Sequence, residues 1–372
     1  MSTVFSATAG TQHPHRDRDR ATEIVLPGII DPEGLRVTTR GPLSPGPGQV
    51  RLAMEATGVS FAEQQMRRGK YYDQPPFPFV PGYDLVGTVT AAGPDVDPGH
   101  LGHRYAVVTK TGAWASDVLV AAADLVPVPQ ALDPAAAETM VVNGITAWQM
   151  LHRIARVRPG QTVLVLGANG GVGSTLVQLA RAAGVRVIGT ASARHHEAVA
   201  ALGATPVDYR DADVPARVRE LAPHGVDAVF DHVGGPGIVD SYRLLAPGGT
   251  LVSYGTAATR DVAGSSRLPV LAMVARLMWW NIAPNGHRAH FYNLWAGRNR
   301  TGARTRRRQD LTSVFELLAQ GRITAQVAAR LPLHQAGAAM RLAESGTIAG
   351  KVVLVPGPTP GHSDDDGRPA RA

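Results

Sequence analysis

The chain contains no cysteine. Disulfides, thiolate zinc sites and a cysteine nucleophile are thereby excluded. Aromatic residues are scarce, at 5%, so each one placed near a candidate site carries weight. No apolar run is long enough to span a bilayer. The longest, residues 268–280, is interrupted by Arg276. Residues 1–20 have no apolar core and alternate Arg with Asp, so no secretory signal is expected. The expectation is a cytoplasmic protein with no membrane insertion.

What the chain does have is glycine in a particular setting. Val163-Leu164-Val165-Leu166 is short, apolar and β-branched, as suits a parallel strand covered on both faces. It runs into Gly167-Ala168-Asn169-Gly170-Gly171-Val172-Gly173 and then into the helical pattern of residues 174–180. Gly170 and Gly171 are expected to turn the backbone and let it approach a ligand. Gly173 is expected to let the helix pack tightly on the strand. The helix N-terminus, with Val172 in its first turn, offers N–H groups to a pyrophosphate. Ala168 stands where the dinucleotide-binding pattern has its first glycine. Further strands are expected at residues 185–191, 226–233 and 249–255, separated by helical segments. That alternation predicts an α/β fold with a doubly wound parallel sheet.

The end of the second of these strands bears on the cofactor. An NAD site places Asp or Glu there, on the ribose 2′-hydroxyl. Here the run is Ala191-Ser192-Ala193-Arg194-His195-His196. Ser192 and Arg194 suit a 2′-phosphate, because a guanidinium forks onto phosphate oxygens. NADPH is the cofactor read from these residues.

Basic residues exceed acidic ones by 37 − 30 = 7, almost all of them Arg. Much of the excess lies in Arg298, Arg300, Arg304, Arg306, Arg307 and Arg308, which read as a solvated loop. No aromatic residues interleave with it, so nucleic-acid binding is not expected. Residues 1–22 and 356–372 read as disordered, being small, polar or Gly/Pro-rich. Short strands separated by Gly and Pro fill the region up to about residue 129, and an amphipathic helix is expected at 311–320. The apolar segment holding Met273, Leu277, Met278, Trp279 and Trp280 reads as a core or dimer helix, or alternatively as a hydrophobic wall over a bulky substrate. Asp231 and His232, adjacent on a strand, face opposite ways and are read as structural.

Four segments together resemble the medium-chain dehydrogenase/reductases, in the zinc-independent quinone oxidoreductase (zeta-crystallin-like) branch. They are Gly58-Val59-Ser60-Phe61, Pro81-Gly82-Tyr83-Asp84-Leu85-Val86-Gly87, the glycine turn, and Gly350-Lys351-Val352-Val353-Leu354. The resemblance covers most of residues 23–355. It implies a Rossmann domain at 146–300 and a discontinuous, mainly β, GroES-like domain at 23–145 and 301–355. The zinc alcohol dehydrogenases carry a metal-binding Cys where Ser60 stands and Gly-His-Glu where Gly82-Tyr83-Asp84 stands. Both zinc sites are therefore expected to be absent.

The resemblance also implies roles. Ser60, Tyr71 and Thr146 match positions beside the nicotinamide end and the substrate cleft. Tyr209, Arg194 and His195 match the 2′-phosphate end. Val233 and Gly255 lie where the third and fourth strands end, on the crevice side. The implied activity is hydride transfer from NADPH to a quinone or an α,β-unsaturated carbonyl, in a homodimer. An enoyl reductase or cyclase acting on a bulky natural-product intermediate is the alternative. An RNA-binding or structural protein that only holds NADPH is an alternative of another class.

Overall fold

The computed structural model describes residues 20–259, 267–282, 284–296 and 302–357. Among these residues the N-terminal part is built from strands β1 (Ala21–Val25), β2 (Arg36–Arg40), β3 (Gln49–Val59), β4 (Asp84–Ala92), β5 (Arg104–Val108), β6 (Asp117–Ala121) and β7 (Val126–Pro127). Helix α1 (Phe61–Arg67) follows β3. Strand β3 is long because its residues alternate: Val50, Leu52 and Met54 are buried, and the residues between them are half-buried. Strand β1 begins at Ala21, so Ala21 and Thr22 are ordered by pairing with Arg40 and Thr39. This moves the start of the folded chain two residues ahead of the expected boundary. The expected tails, residues 1–19 and 358–372, lie outside the described residues.

Helices α2 (Pro134–Thr139) and α3 (Val141–Trp148) lead into a π-helical turn, Gln149–Ala155. The second sheet holds β8 (Thr162–Val165), β9 (Arg186–Ala191), β10 (Ala204–Asp208), β11 (Val226–Asp231), β12 (Leu245–Ser253) and β13 (Arg288–Phe291). Its order is β10-β9-β8-β11-β12-β13, and every neighbouring pair is parallel. This is the doubly wound Rossmann order, with the strand order reversing beside β8. Helices α4 (Gly171–Ala182), α5 (His196–Ala201), α6 (Val214–Leu221), α7 (Ile238–Arg243) and α8 (Arg267–Trp280) connect its strands.

The chain then forms α9 (Ala303–Ala319), β14 (Val327–Pro332), α10 (Ala336–Glu344) and β15 (Lys351–Val355). Strand β15 pairs antiparallel with β3, returning the C-terminal part to the first sheet.

Two strands of the Rossmann sheet went unrecognised in the sequence, each for a physical reason. Strand β10 contains Pro206, which only an edge strand tolerates, and β10 is an edge. Strand β13 reads Arg-Ala-His-Phe, too short and polar to announce itself. The arginine run also differs from expectation. Arg304, Arg306, Arg307 and Arg308 lie on α9, not in a loop, because Arg is a good helix former and Asp310 anchors the turn. Asp310 is buried and takes Arg153 and Gln149 as partners. Arg304 pairs with Asp124 at 2.9 Å. Arg298 and Arg300 lie outside the described residues.

Helix α8 buries Met273 and Leu277 against the Rossmann sheet and stacks Trp280 on Tyr242. Leu268, Leu271, Met278 and Trp279 face outward.

Strands β15 and β4 of the first sheet and helix α2 are tied by a buried charge cluster. Lys351 Nζ lies 2.9 Å from Asp84 Oδ2 and 2.7 Å from Glu138 Oε1, and all three residues are buried. Burial alone would lower the Lys351 pKa, but the two carboxylates raise it above its ordinary value. Burial pushes the Glu138 carboxyl well up, against the pull of Lys351. Asp84 Oδ2 also accepts the Val142 N–H at 3.0 Å, fixing the start of α3. Replacing the ammonium leaves buried carboxylates unpaired. Lys351→Met is expected to lower stability by about 3–5 kcal/mol, measured as the shift in the urea midpoint at unchanged slope.

Candidate functional site

A cleft of about 450 Å³ lies between the two sheets. One wall is the glycine turn after β8. Gly167, at φ +67°, makes the tight turn that the sequence pattern assigns to Gly170 and Gly171. Ala168 is fully buried and points at β9, where a methyl on Gly189 would come within 2.7 Å of its own. The missing first glycine is thus compensated by a glycine on the neighbouring strand. Gly170 is the N-cap of α4 and has no side-chain bond there. The first N–H groups of that helix, from Gly171, Val172 and Gly173, have no intrahelical partner. A methyl on Gly173 would collide with the Gly167 carbonyl, and one on Gly171 would lie 2.5 Å from Asn143 Nδ2. That Asn143 nitrogen is buried without a hydrogen-bond partner, and Asn143 lines the cleft. A bare backbone cradle, a free helix N-terminus and an unpartnered buried amide donor together fit a dinucleotide pyrophosphate.

The residues expected at the adenosine end lie at and beyond the C-terminal edge of β9. Ser192 is buried and caps the next turn without using its side chain. Arg194 Nη2 donates to the Gly346 carbonyl at 2.8 Å, reaching a loop of the other half of the chain. Tyr209 is exposed, its N–H bonded to the Ala191 carbonyl at 3.3 Å and its ring under the Arg210 guanidinium. His195 is buried with Nε2 unpartnered. Ser192, Arg194 and Tyr209 therefore sit on adjoining chain segments, as the sequence implies. Asp208 is close to them, its carboxylate taken by the N–H groups of Ala193 and Arg210. Those backbone bonds hold its pKa below the usual carboxylate range.

Gly255 lines the cleft; Val233 does not, and its neighbour His232 takes the place expected of it. The reason is the turn after β11. Asp231 Oδ1 accepts the N–H groups of Val233 and Gly234, and Oδ2 accepts the Ser241 hydroxyl. That carboxylate is structural. His232 Nδ1 donates to the Leu166 carbonyl at 3.0 Å, and burial lowers its pKa, so it faces the cleft as neutral imidazole.

Ser60, Tyr71 and Thr146 all line the cleft. One of them, Ser60, has a committed proton. The Ser60 hydroxyl accepts the Ala62 N–H and donates to Glu63 in a capping box. Tyr292, which also lines the cleft, donates to Gln149 Oε1 at 3.0 Å.

The remaining wall was not legible as a site. Phe291, Tyr292, Asn293, Leu294 and Trp295, at and after β13, close the cleft against Tyr71, Tyr72 and Tyr83. Trp295 Nε1 donates to Tyr83 Oη at 2.7 Å, and Tyr83 and Tyr71 share a hydroxyl–hydroxyl bond. Burial is the main cause that pushes the pKa of Tyr71, Tyr72 and Tyr83 upward. No residue of α8 lines the cleft, so that helix is not the wall over a substrate. Among the described residues no cluster of three His, Asp or Glu could hold a metal ion. Nor is any helix among them long and apolar enough to cross a membrane.

A doubly wound dinucleotide sheet facing a mainly β domain across one cleft defines a class of two-domain oxidoreductases. Comparisons narrow it. Residues 46–130 match the alcohol dehydrogenase GroES-like domain family, and residues 202–354 match the zinc-binding dehydrogenase family. The synaptic vesicle membrane protein VAT-1 homolog of Rattus norvegicus is 34% identical over 90% of this chain and 84% of its own. The mycocerosic acid synthase-like polyketide synthase of Mycobacterium tuberculosis is 28% identical over 91% of this chain, but over only 16% of its own. The crystal structure of Escherichia coli quinone oxidoreductase complexed with NADPH superposes with a TM-score of 0.78 at 26% identity, covering 90% of this chain and all of that one, at 100%. The chain belongs to the medium-chain dehydrogenase/reductase superfamily, in its quinone oxidoreductase (zeta-crystallin-like) branch.

Because Gly173 meets backbone rather than a flexible side chain, it cannot be enlarged without moving α4. Gly173→Ala is expected to weaken dinucleotide binding at least about tenfold, a loss of roughly 1.4 kcal/mol, read by isothermal titration of the folded variant.

Proposed function

We propose that the protein is an NADPH-dependent reductase of quinones or α,β-unsaturated carbonyl compounds, working without zinc. The observation that carries this reading is the cleft itself. The pyrophosphate cradle and a wall of tyrosine and tryptophan rings open into the same 450 Å³ space. When bound, the reduced dinucleotide supplies hydride. Residues 170–173 and Asn143 hold its phosphates. Ser192, Arg194 and Tyr209 recognise the 2′-phosphate, with His195 beside them. The protein's contribution is placement and a polarising donor on the acceptor oxygen.

The two residues standing where the zinc enzymes carry ligands support a metal-free site. Ser60 is engaged by Glu63, and Tyr83 by Trp295 and Tyr71. A flat, conjugated acceptor suits the ring-lined wall. The likeness to a polyketide synthase supports an enoyl substrate as a second reading within the same chemistry. A homodimer belongs to the proposal as well; β13 is an edge strand of the Rossmann sheet.

The first test is titration with NADPH and NADH by tryptophan quenching, then turnover on a panel of quinones and enones. Tight NADPH binding with turnover on either class is the expected result. No binding of either cofactor would sink the proposal. Arg194→Ala is expected to weaken NADPH about ten- to a hundredfold, the worth of a charge-assisted hydrogen bond, and to leave NADH unchanged. The pH profile is a further check. Raised pKa values keep Tyr71, Tyr72 and Tyr83 protonated to higher pH than free tyrosine. The rate kcat/KM is therefore expected to show no tyrosine ionisation between about pH 6 and pH 10.

A further inference from the structure

Among the described residues that line the cleft, His232 is the one histidine. It directly follows β11, the strand beside β8 on the side away from β9. One end of its ring is committed. The Leu166 carbonyl can only accept, so the Nδ1 that bonds it at 3.0 Å carries the proton. In a neutral imidazole Nε2 is then a lone pair, able to accept and unable to donate. Burial, opposed by Asp231, lowers the pKa of the ring, in keeping with the neutral form. Nε2 has no hydrogen-bond partner among the described residues and, unlike His195 Nε2, is not sealed away from the cleft.

The ring is held in place from three sides. Asp231 accepts the N–H groups of Val233 and Gly234 and so fixes the turn that carries it. The Ala257 N–H, from the segment after β12, donates to the His232 carbonyl at 3.2 Å. Gly167 supplies the room: a methyl there would collide with Cε1 and lie 3.0 Å from Nε2. Nε2 is therefore a fixed acceptor at the very start of the glycine turn.

The order of the strands selects what meets it. Ser192, Arg194 and Tyr209 follow β9 and β10, on one side of β8, and the phosphate cradle opens α4 directly after β8. On the other side come β11 and then β12, with Gly255 just past the end of β12. A dinucleotide laid across this reversal of strand order has its second ribose next after the phosphates and its nicotinamide beyond that. The end of β11 thus falls to the sugar. Its hydroxyls are donors, matched to a lone pair. We propose that His232 is a cofactor-binding residue whose Nε2 accepts a hydrogen bond from a hydroxyl of the nicotinamide ribose. The inference rests on the reading of the cleft as an NADPH site and adds the contact between the phosphate cradle and the nicotinamide end.

The test uses the full chain and three ligands that share the adenosine 2′-phosphate. NADPH carries the whole cofactor, 2′-phospho-ADP-ribose keeps the second ribose without nicotinamide, and 2′,5′-ADP lacks both. His232→Asn keeps a donor for Leu166 and has no acceptor at the place of Nε2, whereas His232→Gln reaches that place with an amide oxygen. By isothermal titration His232→Asn is expected to weaken NADPH and 2′-phospho-ADP-ribose by about threefold to tenfold, the worth of one neutral hydrogen bond. Binding of 2′,5′-ADP is expected to stay unchanged, and His232→Gln to recover most of the loss. Nitrogen NMR of protein with isotope-labelled histidine gives a second readout. The unprotonated nitrogen of His232, assigned by its disappearance in His232→Asn, is expected to move upfield with NADPH and with 2′-phospho-ADP-ribose but not with 2′,5′-ADP. A loss confined to NADPH gives the contact to the carboxamide and overturns the proposal. An equal loss for all three ligands marks a structural role and overturns it too, as does NADPH binding that the substitution leaves unchanged; each of these leaves the reductase reading standing. No binding of NADPH to the unsubstituted protein overturns both.

Discussion

The ammonium of Lys351, held between Asp84 and Glu138, is the interaction on which the rest of the molecule depends. It joins the last strand, β15, to β4 and to α2 with three buried charges. A buried ionic cluster is weak as a source of net stability but demanding in geometry. Here that demand is passed on. The Asp84 Oδ2 that takes the ammonium also accepts the Val142 N–H, so the start of α3 is set by the same carboxylate. Helix α3 then carries Asn143 to the glycine turn and Thr146 to the cleft. Two site residues thus owe their positions to a charge cluster that reaches the cleft only through Lys351.

Much of the architecture was legible because strong local signals agreed. The apolar run at 163–166, its glycine turn and the alternating elements after it specify a dinucleotide sheet on patterning alone. Legibility ended where tertiary context overruled local pattern. Pro206 disguised an edge strand, and the short, polar β13 offered no signal at all. The arginine run resembled a loop until Asp310, buried beneath Arg153 and Gln149, anchored it as a helix.

The site divides the same way. The phosphate cradle is a local motif and could be read in order along the chain. The ring wall is not local: Tyr83 and Trp295 are 212 residues apart and meet only across the cleft. Tyr83 was visible as a departure from a metal-binding histidine, but nothing in sequence pairs it with an indole. Asn143 likewise sits in a helix of small and apolar residues, and its unpartnered amide becomes meaningful only beside Gly171.

Ala168 and Gly189 form one steric unit divided between the glycine turn and the neighbouring strand β9. Two methyl groups there would lie within 2.7 Å of each other, with Val199 and Ala204 closing the remaining space. A lineage exchanging this pair for glycine at 168 and alanine at 189 has one passable route, through glycine at both. That intermediate gives up a buried methyl, whereas the reverse order of steps meets a wall. The irregular glycine fingerprint of this chain is therefore a constraint on the order of substitution as well as a binding surface: only one of the two positions can carry a side chain.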